Sequence, residues 1–303
     1  MKLGYFPGCS LHATARECEE SLRAIAAPLD VELAEIDDWA CCGATSAHAT
    51  NHLLSVALPA RTLALAERQG FDTVLAPCAA CYARLASARH ELAKDKALLE
   101  RVAAILERPF TNAVKVVSIA ELLRDLAPKI REQAKRPLGG ARVAAYYGCL
   151  LVRPTEVSGF DDAEQPSSME AVIAAAGGTP VEWRRKVDCC GAGFSLSRTG
   201  SVIRLGRAIL EDAKKAGAEA IAVGCPMCHS NLDLRQKAMS RTLPEPLGLP
   251  ILFLSQVVGL GLGLDPQALG LGRHFVGTGS FVAKVTAPPA PAEKPAETKQ
   301  EVA

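Results

Sequence analysis

The chain carries almost no net charge: 34 lysines and arginines stand against 33 aspartates and glutamates. Overall charge therefore implies neither a nucleic-acid footprint nor an acidic partner surface. Long apolar runs are missing as well. No eighteen consecutive apolar residues occur, and the opening "MKLGYFPGCS" reaches a Pro-Gly turn before any apolar core of signal-peptide length. The expectation is a cytoplasmic protein without a transmembrane segment. The stretch "ILFLSQVVGLGLGL" (251–264) is too short to span a bilayer and reads as buried core. There is no GxGxxG turn of the kind that cradles a dinucleotide, so electrons for any redox chemistry must come from a separate protein.

Cysteine is what the chain has in excess, with eleven in 303 residues. In a reducing compartment such a number points to metal ligands or redox groups rather than to disulfides. Ten of them obey one pattern, C...CCG...CxxC, used twice: Cys9, Cys41, Cys42, Cys78 and Cys81, then Cys149, Cys189, Cys190, Cys225 and Cys228. Only Cys18 stands outside it, in a helical pattern where it reads as a small core or surface residue.

The flanks repeat too. "LGYFPGC" matches "VAAYYGC", "TVLAPCAAC" matches "AIAVGCPMC", and "VKVVSIAELL" matches "PILFLSQVVG". A long-period repeat of this kind means two copies of one plan. Each copy alternates short apolar runs ending near cysteines with helical patterns such as "ATARECEESLRAIAAPL". That alternation predicts an α/β protein of two pseudo-symmetric domains, each a small parallel sheet with flanking helices. Loops at the strand ends then converge at one edge of each sheet, where such folds hold ligands. Pro137 and the Gly139-Gly140 pair mark the boundary between a first domain, 1–137, and a second, 138–285. Residues 286–303, rich in Pro, Ala, Glu and Lys, read as a disordered tail.

A zinc site or an ordinary iron–sulfur cubane needs four thiolates, and each half offers five. Neighbouring cysteines close a disulfide poorly, because their Cα atoms sit about 3.8 Å apart and the bond favours wider separations. Two thiolates grasping one metal cluster from a short loop is the better account. Gly43 and Gly191, which follow the pairs, are expected to take positive φ and turn backbone amides toward the sulfurs. Each CxxC falls between a strand end and a helix start, where first-turn N–H groups and the helix dipole stabilise an anionic cluster. A fifth thiolate is useful if it bridges two irons or if the cluster is not a cube. Structural zinc with one spare cysteine per half, and a metal-free dithiol protein, are the competing readings. Both leave part of the five-fold set without a purpose.

The two cysteine sets, with "YYGCLLVRP", "GFDDAEQPSSME", "CCGAGFSLSR" and "GCPMCHSNLDLRQ", strongly resemble the catalytic B subunit of heterodisulfide reductases, from Met1 to about residue 285. The resemblance implies two CCG domains, each holding a non-cubane 4Fe-4S cluster through its five cysteines. The first cluster would lie on Cys9, Cys41, Cys42, Cys78 and Cys81, the second on Cys149, Cys189, Cys190, Cys225 and Cys228. The second half leaves 34 residues between its cysteine pair and its CxxC, one fewer than the usual spacing of the family, which touches loop geometry and not ligation. The implied activity is that of an oxidoreductase acting on sulfur groups. It reduces, or in reverse forms, a small disulfide with two electrons, one from each cluster. The implied partners are a cubane iron–sulfur subunit and a flavin-bearing subunit of the same complex, with no nucleic acid.

Wider members of the group serve as electron-transfer subunits of quinone-linked dehydrogenases such as succinate:quinone reductases, a second reading. A non-catalytic subunit with structural metals is a third. Arg153, four residues after Cys149, and Arg198, after the second CCG, are candidate contacts for an anionic substrate, with ordinary surface ion pairs as the plain alternative. His229, directly after Cys228, and His48, near the first CCG, are candidate proton donors.

Overall fold

The structure, a computed structural model, describes residues 1–287 apart from 45, 46, 109 and 136, and not the side chain of His48. The expected tail lies outside these residues from 288 onward, as does the side chain of His48 with its proposed proton role.

Among the described residues eight short strands form two sheets. The first half contributes β1 (Lys2–Tyr5), β2 (Glu32–Glu35), β3 (Thr73–Ala76) and β4 (Lys115–Ser118), in the order β2-β1-β3-β4. The second contributes β5 (Arg142–Tyr146), β6 (Thr179–Pro180), β7 (Ala220–Val223) and β8 (Ile251–Phe253), in the matching order β6-β5-β7-β8. All pairings are parallel; Tyr5 lies opposite Glu35 and Leu75, and Tyr146 opposite Val223. Central parallel strands are covered on both faces and so read as unbroken apolar runs. β7, AIAV, is buried at every residue.

The crossovers carry matched helices: α1 (Arg16–Ala26), α2 (His52–Arg68), α3 (Ala79–Lys94) and α4 (Ile119–Asp125) in the first half, then α5 (Ser168–Ala175), α6 (Thr199–Lys215), α7 (Pro226–Leu234) and α8 (Leu254–Gly261) in the second. The helical pattern at 13–29 begins later than its polar lead, at Arg16, and presents Cys18, Leu22 and Ile25 to the core. Every residue of α8 is buried, in agreement with the core reading of 251–264, and no helix among the described residues is long and apolar enough to cross a membrane.

The halves pack through equivalent pairs. α1 of the first half lies on α8 of the second, and α5 of the second lies on α4 of the first. Ser21 Oγ and Ser255 Oγ meet at 2.7 Å in the buried α1–α8 seam. This pseudo-twofold arrangement brings the strand-end loops of both sheets to one shared region.

Candidate metal centre

All ten patterned cysteines follow the carboxyl ends of strands. Cys9 and Cys149 come after β1 and β5, the vicinal pairs after β2 and β6, and the CxxC pairs after β3 and β7. Each CxxC opens a helix as expected: Cys78 and Cys225 are the N-cap residues of α3 and α7. The amides of Met227 and Cys228 reach the Cys225 sulfur, so orphan donors of the first turn are satisfied by sulfur. Gly43 and Gly191 have φ of 73° and 80°, and their amides donate to the sulfurs of Cys41 and Cys189 at 3.5 and 3.3 Å.

A second glycine pair escapes the motif reading, although "PGC" and "YGC" display it. Gly8 and Gly148, with φ of 67° and 64°, turn the chain sharply into Cys9 and Cys149. A Cβ on Gly8 would stand 2.9 Å from Cys81 Sγ, and one on Gly148 3.2 Å from Cys228 Sγ. Only glycine lets the backbone pass that close to the sulfurs.

Within each half the five thiols gather. Cys42 Sγ lies 3.4 Å from Cys81 Sγ, and Cys190 Sγ 3.4 Å from Cys228 Sγ. Cys9 interacts with Cys41, and Cys149 with Cys189. Cys9, Cys41 and Cys189 are exposed and Cys149 half-buried, whereas Cys42, Cys78, Cys81, Cys190, Cys225 and Cys228 are buried. Each set thus has a solvent-facing rim and a buried floor. The floors adjoin: Cys78 and Cys225 act on each other's protonation across the seam. Cys18, outside the pattern, is buried in the same region, and burial, then neighbouring charges including that of Cys225, push its thiol up.

Packed thiols share their protons unequally. Cys42 is pushed down to about 7, first because the Cys81 thiol donates to it, and Cys189 to about 6, first through Cys149. Cys225 falls well below the usual thiol range because Cys228 and Cys78 both donate to it. Thiolates are the form that ligates metal, and burial alone would raise these groups. Five converging sulfurs, amides aimed at them, and glycines that keep the space around them clear fit an anionic iron–sulfur cluster in each half.

Arg153 donates to Glu164 Oε1 at 2.7 Å and to the Ala163 carbonyl at 3.2 Å. Arg198 is exposed and its side chain has no hydrogen bond or ion pair among the described residues. His229 is buried behind Cys228, stacked on Phe253 with centroids 4.4 Å apart, and pushed down to about 3 by burial and then by His274. Its ligand atoms, with those of Asp233 and His274, lie within 4.8 Å of one another. Hydrogen bonds occupy His274, one of the three. Gln256 Oε1 accepts from Phe253 N, and Gln256 Nε2 donates to the Leu269 carbonyl and to His274 Nε2, 3.0 Å away. Neutral His274 then carries its proton on Nδ1, toward the Ile251 carbonyl that His229 Nε2 also approaches at 3.1 Å. That Nδ1 has no lone pair left for an ion.

The second half also contains a network that no motif announced. Lys186 Nζ donates to Glu170 Oε1 at 2.6 Å, and Tyr147 OH donates to Glu170 Oε2 at 2.5 Å. The Lys186 carbonyl accepts from Tyr147 N and Gly148 N at 2.8 and 3.2 Å, tying the turn before Cys149 to the segment before Cys189.

A duplicated α/β scaffold with two five-thiol centres at adjoining sheet edges defines a cysteine-rich redox protein. The model of the cysteine-rich domain family called CCG matches residues 3–86 and 143–233, and the chain belongs to that family. It is similar to the B subunit of the ferredoxin:CoB-CoM heterodisulfide reductase of Methanosarcina mazei, at 30% identity over 94% of this chain and 97% of that one. A membrane anchor subunit of the 8-methylmenaquinol:fumarate reductase of Wolinella succinogenes is 31% identical over 91% of this chain and 97% of its own. A protein of Archaeoglobus profundus, named for its likeness to the B subunit of heterodisulfide reductase, is 28% identical, covering 88% and 92%. A crystal structure of a hypothetical Helicobacter pylori protein superposes with a TM-score of 0.72 at 13% identity, a likeness of fold alone. It covers 91% of this chain, which spans about half, 52%, of that protein. Family and site together make the chain an iron–sulfur redox subunit.

Proposed function

We propose that the chain is the catalytic subunit of a heterodisulfide reductase-like complex. In this reading Cys9, Cys41, Cys42, Cys78 and Cys81 hold one non-cubane 4Fe-4S cluster, and Cys149, Cys189, Cys190, Cys225 and Cys228 hold a second. The observation that carries it is that the two complete thiol sets adjoin, with Cys78 and Cys225 acting on each other's protonation across the seam. Cleaving a disulfide takes two electrons, and when bound the two clusters supply one each to the two sulfurs. The chain's own part is to present both centres side by side with rims open to solvent, and to hold their thiolates with helix N-termini and the Gly43 and Gly191 amides. Electrons arrive from a cubane iron–sulfur subunit that is fed by a flavin-bearing one.

A second reading, electron transfer to a quinone at a membrane, has its own support. The Wolinella succinogenes relative is named a membrane anchor subunit of a menaquinol-linked enzyme. Apolar side chains also flank the second thiol set: Leu150, Phe194 and Leu196 are 39%, 48% and 97% exposed. Such residues suit an interface as well as an apolar substrate.

Stopped-flow reoxidation of the reduced protein separates the two, comparing small anionic disulfides with a soluble quinone analogue. Disulfides are expected to reoxidise wild type, and Cys42→Ser or Cys190→Ser is expected to abolish turnover. Rapid reoxidation by the quinone, with none by any disulfide either alone or with the iron–sulfur partner, would transfer the assignment to the second reading.

A further inference from the structure

The duplicated scaffold allows the surroundings of the two centres to be compared position by position. Three residues after the last cysteine of each CxxC, on the same helix face as that cysteine, the first half has Arg84 and the second has Asn231. Asn231 is 1% exposed; its amide donates to the Cys190 carbonyl at 3.3 Å and approaches Cys190 Sγ at 3.7 Å, while its oxygen accepts from Ser195 Oγ at 2.9 Å. It is a neutral donor to the second cysteine of the vicinal pair. The equivalent cysteine of the first half is Cys42, and the matching helix position there carries a guanidinium. Arg84 is half-buried and acts electrostatically on Cys42, and its side chain has no hydrogen bond or ion pair among the described residues. Its charge is therefore uncompensated.

A second difference has the same sign. The residue directly before the vicinal pair is Ala40 in the first half and Asp188 in the second. The Asp188 carboxylate acts on Cys189 and is balanced in part by Arg185 Nη1 at 2.6 Å. At both of these positions the first centre meets the more positive side chain.

We propose that Arg84 makes the two centres unequal electron acceptors, setting that of the first half at the higher reduction potential. This rests on the assignment of one iron–sulfur cluster to each half. A centre that gains an electron becomes more negative, and an uncompensated cation in a half-buried site stabilises that form more than it would in water. One electron from a one-electron iron–sulfur donor therefore settles in the first half, leaving the donor oxidised by one. A second electron then reduces the second half. The first half is the holding site that lets one-electron delivery match two-electron chemistry.

The test is an anaerobic redox titration of the full chain followed by electron paramagnetic resonance, with iron and sulfide measured on the same samples. Arg84→Gln is expected to lower the higher-potential transition by at least a tenfold change in the oxidised-to-reduced ratio, about 59 mV for one electron. The lower transition should stay in place, and Arg84→Lys should recover most of the shift. Asp188→Asn, which leaves Arg84 untouched, should raise the lower transition and narrow the gap from the other side. Unmoved transitions in both Arg84→Gln and Asp188→Asn at full iron content overturn the inference and leave the proposed function standing. So does a shift of the lower transition in Arg84→Gln. Wild type without iron and sulfide overturns both.

Discussion

Three residues before Cys189 stands a buried, cross-linked side chain; three residues before Cys41 stands an exposed one. Lys186 in the second half is buried against Glu170 and Tyr147. At the matching place in the first half stands Asp38, 68% exposed and paired with Arg61. Both halves nevertheless place five thiols in the same arrangement. The glycines and helix starts that shape the sulfur site occur in both copies, while the supports behind it diverge. Local backbone geometry is therefore what the site requires, and the supporting chemistry is free to differ and to tune each centre.

Removing one centre at a time has the largest expected effect. Cys42→Ser and Cys190→Ser should each lower iron to about half of wild type, with complementary spectra, because each set closes within its own half. Loss of all iron from either single change would mean a shared centre and would end the two-site description.

The supports should respond unequally. Lys186→Met leaves the largely buried Glu170 carboxylate without its cationic partner and with only the Tyr147 hydroxyl, a change that costs about 3 kcal/mol. Its melting temperature should fall steeply and iron should be lost first from the second half. Asp38→Asn, at the exposed counterpart, should change stability by no more than about 1 kcal/mol. Equal effects would show that the buried network does not distinguish the halves.

The two turns before the leading cysteines give a finer contrast. Gly8→Ala and Gly148→Ala each force a side chain into left-handed backbone, at about 1–2 kcal/mol. The first also brings its Cβ closer to sulfur, 2.9 Å against 3.2 Å. Gly8→Ala should therefore release iron faster on mild heating, and faster release from Gly148→Ala would contradict the geometry. The smallest effect belongs to the strand-to-helix joints. Ser118 Oγ caps α4 by accepting from Glu121 N at 3.1 Å, whereas at α8 the Gln256 side chain accepts from Phe253 N at 2.9 Å. Ser118→Ala should lower stability by about 1 kcal/mol in denaturant melts and leave both spectra unchanged.

What could be read from the sequence was what lies within a short window. The positive φ of Gly43 and Gly191, the amides turned to sulfur, the CxxC at a helix start and the parallel strands all follow from a few adjacent residues. The adjacency of the Cys78 and Cys225 floors could not be read that way, because it depends on how two sheets dock through α1 on α8 and α5 on α4. The Lys186–Glu170–Tyr147 network was hidden for the same reason: its members are spread over 147–186 and none has a marked local pattern. Arg84 and Asn231 were visible as a mismatch within the repeat, yet only the fold, which sets Asn231 against Cys190 and the Arg84 charge in the field of Cys42, gives that mismatch a meaning. Arg153 illustrates the reverse, a charge near a cysteine whose side chain is occupied by Glu164.

What the two thiol sets bind decides the central claim most directly. Iron, acid-labile sulfide and zinc should be measured in the full chain purified without oxygen. About eight irons and about eight sulfides per chain, with little zinc, is the predicted result for two four-iron clusters. Two tightly bound zinc ions per chain and no sulfide would contradict it.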